Sequence, residues 1–125
     1  MTRDELSELV ETVEESYEFF LGYAAQGVSG EGSDGEARRF FEKMDAALQK
    51  LPDGFQSVVE GAGKSKDYGD MVEVLRRDAG ASRAAVKLVL ASSQISSQLT
   101  DNFNASIHVR ALLTDLFLLD EALPD

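Results

Sequence analysis

Apolar residues recur along most of this chain at steps of three and four, the spacing of helices that bury one face. Leu6, Val10, Val13, Tyr17, Phe20 and Ala24 form the first stripe, widened by Leu9, Phe19 and Tyr23, while Glu11, Glu14, Glu15 and Glu18 largely face away. Ahead of it, Thr2-x-x-Glu5 has the form of a capping box, in which hydroxyl and carboxylate satisfy free backbone N–H groups. The pattern predicts a helix over residues 3–26, closed by Gly27 in a left-handed conformation. A second stripe, Phe40, Phe41, Met44, Ala47, Leu48 and Leu51, lies opposite Arg38, Arg39, Glu42, Lys43 and Lys50. It predicts a helix over 34–50, opened by Ser33-x-x-Glu36 and stopped by Leu51-Pro52-Asp53-Gly54, because proline disfavours helix in the residue before it.

Shorter helical pieces are expected over residues 54–79, carried by Phe55, Val58, Val59 and Ala62, then by Tyr68, Met71, Val72 and Leu75, and ending near Gly80. From Ala81 to Leu123 there is neither glycine nor proline. Thr100-Asp101-Asn102 offers capping side chains, so the stretch is expected to divide into helices over 81–99 and 102–123. A single unbroken helix of about 65 Å is the alternative, and it exceeds the width of a compact domain of this size.

The last of these helices is apolar on two sides. Ala105, Val109, Leu112, Leu116, Leu119 and Leu123 fall on one stripe; Phe103, Ile107, Ala111, Phe117 and Leu118 fall on another, with Leu113 between. A helix apolar nearly all round needs cover on both sides. Either it is central to its own bundle, or one stripe fills the core and the other meets another chain. The expected partner surface is Phe103, Ile107, Ala111, Phe117 and Leu118, although the wheel alone leaves open which stripe faces outward.

Composition narrows the classes of chemistry. The 125 residues suit one helical-bundle domain spanning 1–125, with a flexible glycine-rich connection at 27–35. Absence of cysteine excludes disulfides, thiolate metal sites and cysteine nucleophiles. The N-terminus lacks the basic start and apolar run of a signal peptide, and the run Leu116–Leu119 is far short of a membrane span. A soluble, cytoplasmic protein is therefore expected. The net charge of −11 disfavours direct binding to nucleic acid or anionic lipid. Basic residues adjoin only as the pairs Arg38-Arg39 and Arg76-Arg77.

Three fragments invite chemical readings. Gly61-Ala62-Gly63-Lys64-Ser65 resembles the end of a phosphate-binding loop, and Leu116-Phe117-Leu118-Leu119-Asp120-Glu121 resembles a Walker B strand. The loop motif requires glycine where Val58 stands, and a strand before the loop, so no NTPase is expected. Ala91-Ser92-Ser93-Gln94-Ile95-Ser96-Ser97-Gln98-Leu99 is either a close helix crossing, permitted by small side chains, or a polar pocket lined by Ser93, Gln94, Ser97 and Gln98. His108, the sole histidine, has Asn104 one turn before it and Asp115 two turns after; one histidine cannot supply a paired Glu-x-x-His di-iron site. Asn104-Ala105-Ser106 matches a glycosylation sequon, and with no signal peptide expected it has no expected consequence.

The expected architecture is all-α, an up-and-down bundle of four main helices. The expected role is a small acidic interaction module, an assembly, adaptor or regulatory subunit, in the form of a homodimer or bound to another protein. The alternatives are an acidic inhibitor that mimics nucleic-acid charge, and a helical bundle that binds a small ligand or metal. No catalytic, cofactor-binding or metal-binding residues are assigned, and no cofactor is expected.

Overall fold

The computed structural model describes residues 1–28 and 34–124 and contains five helices: α1 (Arg3–Ala25), α2 (Gly35–Gly61), α3 (Ser65–Leu90), α4 (Ser97–Ala105) and α5 (His108–Ala122). No strand occurs among the described residues. The fold is an all-α helical bundle. α2 packs along both α1 and α3, while α4 lies mainly on α1 and α5 mainly on α3. α4 and α5 thus share the remaining side of a three-helix framework. One continuous apolar core joins all five helices, from Leu6 and Phe20 through Phe41 and Leu75 to Phe103 and Leu116.

The start of the chain folds as its sequence predicts. Both hydrogen bonds of the Thr2–Glu5 capping box are present, and Gly27 has φ 72°. The glycine-rich connection falls largely outside the described residues, as does Ser33, its capping residue; Asp34 stands at the N-cap of α2.

Three expected boundaries are wrong, each for a physical reason. α2 does not stop at Leu51 but continues through Pro52 to Gly61. A proline inside a helix costs on the order of 3 kcal/mol. Here the buried stripe runs on without a phase change through Leu48, Leu51, Phe55 and Val59, and each large apolar side chain buried contributes about 1.5–3 kcal/mol. Gly54, in the same turn, is closely approached by the N-terminus: a Cβ there would meet Met1 Sδ at 2.6 Å.

The break at Gly80 is also absent, since α3 is continuous from Ser65 to Leu90. Gly80 lies on the exposed side of α3, where a glycine costs about 1 kcal/mol against alanine. Burial of Val72, Leu75, Ala79, Val86 and Val89 exceeds that cost.

The break expected at Thr100–Asn102 lies inside α4. The chain instead interrupts at Ala91–Ser96 and at Ser106–Ile107. Ser96 is the working cap, its hydroxyl accepting from Leu99 N at 3.0 Å. The helix expected over 102–123 is consequently two helices, and its first turn belongs to α4.

Candidate functional site

α5 has distinct inner and outer faces. Val109, Leu112, Leu116, Leu119 and Leu123 are buried, so this stripe is the core-facing one. Leu113 is buried beside it. On the outer face Ile107 is 58% exposed, Phe117 48% and Leu118 57%, with Ala111 half-buried among them. Of the five residues expected to form a partner surface, Ala111, Phe117 and Leu118 therefore lie on the outer side of α5 and Ile107 at its N-cap. Leu118 also borders a shallow apolar hollow floored by Tyr68 and Met71 of α3 and by Ala122.

The fifth, Phe103, does not join them. It is 5% exposed on α4, edge-on to Phe20 at 5.5 Å and to Phe41 at 5.0 Å between ring centroids. Ala105, expected in the core, is exposed. Both corrections have one cause. Ile107 adopts φ 63°, a left-handed conformation that turns the chain between α4 and α5. Residues before the turn therefore do not share the helical phase of those after it. A β-branched residue is seldom found in that region, so sequence pattern carries no signal for it.

α5 is held at its C-terminal end. Tyr68 Oη donates to Ala122 O at 2.7 Å. Arg3 donates to Asp120 O and Pro124 O, each at 3.1 Å, and pairs with the Asp120 carboxylate at 3.3 Å. A cation at these carbonyls also suits the negative end of the helix dipole. The outer face is thus presented by an anchored helix.

The serine-rich segment is not a helix crossing, and only the Ser97–Gln98 half of the expected pocket lining faces a groove. Residues 91–96 form a loop tied to α1 and α2. Tyr23 Oη donates to Ile95 O at 2.6 Å. Ser97 Oγ donates to Tyr23 O at 2.6 Å and accepts from Val28 N at 2.8 Å. The Asp34 carboxylate accepts from Ile95 N at 2.7 Å. Arg38 donates to the carbonyls of Leu90, Ser92 and Ser93 and so caps the C-terminal end of α3. Ser97 and Gln98 line an open groove with Gly27 and Val28, while Ser93 and Gln94 are exposed. Ser97 has both its hydrogen bonds committed to backbone, so it has structural work there.

The nucleotide-site look-alikes do not assemble. Gly61–Ser65 is the turn between α2 and α3, with Gly63 at φ 70°. Gly63 N donates to Glu60 O and Lys64 N to Val59 O, each at 3.0 Å, which is the Schellman closure of a helix end. Two N–H groups that a phosphate would need are already bonded. Leu116–Glu121 lies within α5. One arginine of each expected basic pair is committed as well, Arg38 to the loop carbonyls and Arg76 to Asp53 and Gln56, while Arg83, outside those pairs, bridges from α3 to Asp45 on α2 at 2.9 Å.

One acidic pair was not anticipated. Asp115 of α5 is buried and faces Asp78 of α3; its carboxyl is pushed up to about 7, by burial first and then by a hydrogen bond and charge repulsion with Asp78. Two carboxylates have no donor between them, so that hydrogen bond requires a shared proton. No donor reaches Asp115 Oδ2 among the described residues. Glu14 on α1 is also raised, by burial and then by Glu18, Glu11 and Glu15. His108 is exposed at the start of α5, and no cluster of three or more metal-ligating side chains occurs among the described residues. No helix among the described residues is long and apolar enough to cross a membrane.

Comparison with known proteins returns no matching family model, no matching curated protein and no matching solved structure.

Proposed function

We propose that this chain is a small acidic protein–protein interaction module without catalytic activity, which acts as a homodimer joined through the outer face of α5. The observation that carries this reading is the group of exposed apolar side chains on that face: Ile107, Phe117 and Leu118. Contiguous apolar surface rimmed by polar residues marks interaction sites. Burial of each such side chain contributes about 1.5–3 kcal/mol, and a two-fold interface counts each residue twice. That gain stands against the rotational and translational cost of association.

Charge on the same face suits a second copy. Arg110 and Glu121 are both exposed and, among the described residues, neither is in an ion pair. They stand on the outer side of α5, eleven residues or about 16 Å apart. Two α5 helices packed antiparallel bring each Arg110 to the other copy's Glu121, with Thr114 and Phe117 meeting between them. The charge of −11 on each copy opposes the encounter, and salt screens that repulsion. Association is therefore expected to strengthen from low to physiological ionic strength.

Sedimentation velocity at micromolar concentration tests the reading. The wild type is expected to dimerise, and Leu118→Asp to remain monomeric with an unchanged helical circular dichroism spectrum. A monomeric wild type at every salt concentration would refute self-association through this face.

A further inference from the structure

A second feature lies between α1 and α2 and shares no residue with the outer face of α5. α1 and α2 run antiparallel, with Met1 beside Ser57 and Phe19 stacked on Phe40 at 4.3 Å. Between them is a half-open cleft of about 360 Å³, within the size range of small-molecule sites. At its floor is Ser16, 1% exposed, whose Oγ has no hydrogen-bond partner among the described residues. A buried hydroxyl without a partner is costly and calls for a cause.

The walls are apolar, from Leu9 on α1 and from Phe40 and Ala47 on α2. Lys43 and Lys50 line the cleft from α2, two turns apart. Among the described residues neither makes an ion pair, whereas Arg3, Arg38, Arg76 and Arg83 all do. The Lys43 ammonium lies 5.0 Å from the centre of the Phe40 ring, which holds it at one end of the cleft. Continuing one turn from the Phe19–Phe40 stack brings Ser16 and Lys43 to that same end, with Leu9 and Lys50 at the other. Thr12 donates its hydroxyl to Glu8 O. Glu15 is the acid among the lining residues, so the lining carries one net positive charge.

We infer that this cleft binds a small amphipathic monocarboxylate. Its carboxylate pairs with the Lys43 ammonium and, as the Ser16 side chain turns about χ1 toward the cleft, accepts from its hydroxyl. Its apolar body, on the order of 10 Å long to match two helical turns, lies over Ala47 towards Leu9 and the aliphatic stem of Lys50. Ser16 then gains the partner it lacks, and the net positive lining meets one negative charge. The site is separate from the outer face of α5 and does not depend on it.

Sodium octanoate is the probe, titrated into the whole chain and followed by amide NMR shifts. Saturable changes are expected at Thr12, Ser16, Lys43 and Ala47. Lys43→Gln is expected to weaken binding about tenfold or more, the loss of one charge-assisted contact. Ser16→Ala removes an unpartnered hydroxyl, so the fold is retained while octanoate binds more weakly. Shifts that do not saturate, that are unaltered in Lys43→Gln, or that lie on the outer face of α5 would overturn the assignment. Equal shifts with octanol would show a surface that ignores charge, and equal shifts with inorganic phosphate one that ignores the apolar body; either result also overturns it.

Discussion

α4 and α5 come from one glycine-free stretch, yet α5 is much the more apolar of the two and they are covered differently. α4 is bound to α1 on its inner side by packing and by polar contacts: Phe103 enters the aromatic cluster with Phe20 and Phe41, Asn104 donates to Phe20 O, and Ser97 bridges Tyr23 and Val28. α5 fills the core with one stripe and leaves large apolar side chains outside. The helix with more apolar residues than one core face can take is the one that offers a face. The distinction comes also from where the chain turns, at Ser106–Ile107, and from the polar groups that fasten the first helix to its neighbours.

The sharpest test of that contrast lies within α5 itself. Leu112 is fully buried and Leu118 exposed, six residues apart on opposite sides. Leu112→Asp places a charge in the core and leaves a void, a change expected to exceed about 4 kcal/mol and to unfold the chain. Leu118→Asp is expected to change monomer stability by no more than about 0.5 kcal/mol. Urea titration of both variants checks this; comparable destabilisation would mean that the outer face packs on the protein's own chain.

The boundary between the two faces carries a pH dependence. Asp115 binds its proton more tightly when folded, at about 7, than at its ordinary value of 3.8. Protonation therefore favours the folded state. The contribution is fully present below about pH 4 and is lost as pH rises through 7. Asp115→Asn resembles the protonated group. The variant is expected to match the wild type near pH 4 and to be more stable than it at pH 8, in paired urea titrations. A difference that stays constant between those pH values would remove Asp115–Asp78 as its source.

Much of this was legible in the pattern of residues, and the remainder has identifiable causes. The Thr2–Glu5 cap and the left-handed Gly27 are local chemistry, and local chemistry is readable. So is the core stripe of α1, where Leu6, Val13 and Phe20 are buried as spaced. Pro52 and Gly80 are local signals too, but burial of the surrounding stripe outweighs them. The bonds from Tyr23 to Ile95 and from Arg38 to the end of α3 join residues more than fifty positions apart, which no spacing rule reaches. The cleft residue Ser16 carries no signal in the sequence, because a single serine within a glutamate-rich helix has no distinguishing pattern. Ser97, considered as a pocket residue, is a fastening instead. Ser97→Ala is expected to cost about 1–3 kcal/mol, because it leaves Val28 N without its partner and removes one of the two donors to Tyr23 O, the other being Gln26 N. A loss below about 0.5 kcal/mol in thermal or urea unfolding would show that the α4–α1 contact rests on packing alone.

The smallest expected change is also the one that separates the two roles of Ile107. Its side chain belongs to the exposed outer face, while its backbone makes the turn that ends α4 and starts α5, with Ala111 N donating to Ile107 O at 2.9 Å. A left-handed backbone costs a residue with a Cβ roughly 1–2 kcal/mol, and glycine is free of that cost. Against this, glycine loses more chain entropy on folding, about 0.5–1 kcal/mol. Because the side chain is 58% exposed, its removal forfeits little internal packing. Ile107→Gly is therefore expected to hold or raise monomer stability by up to about 1 kcal/mol while weakening self-association. The two effects have opposite signs, and no purely structural role for Ile107 produces both. Thermal unfolding of dilute protein measures the first and sedimentation at micromolar concentration the second. A variant less stable as a monomer but equally associated would assign Ile107 to the fold and leave Phe117 and Leu118 to carry the interface.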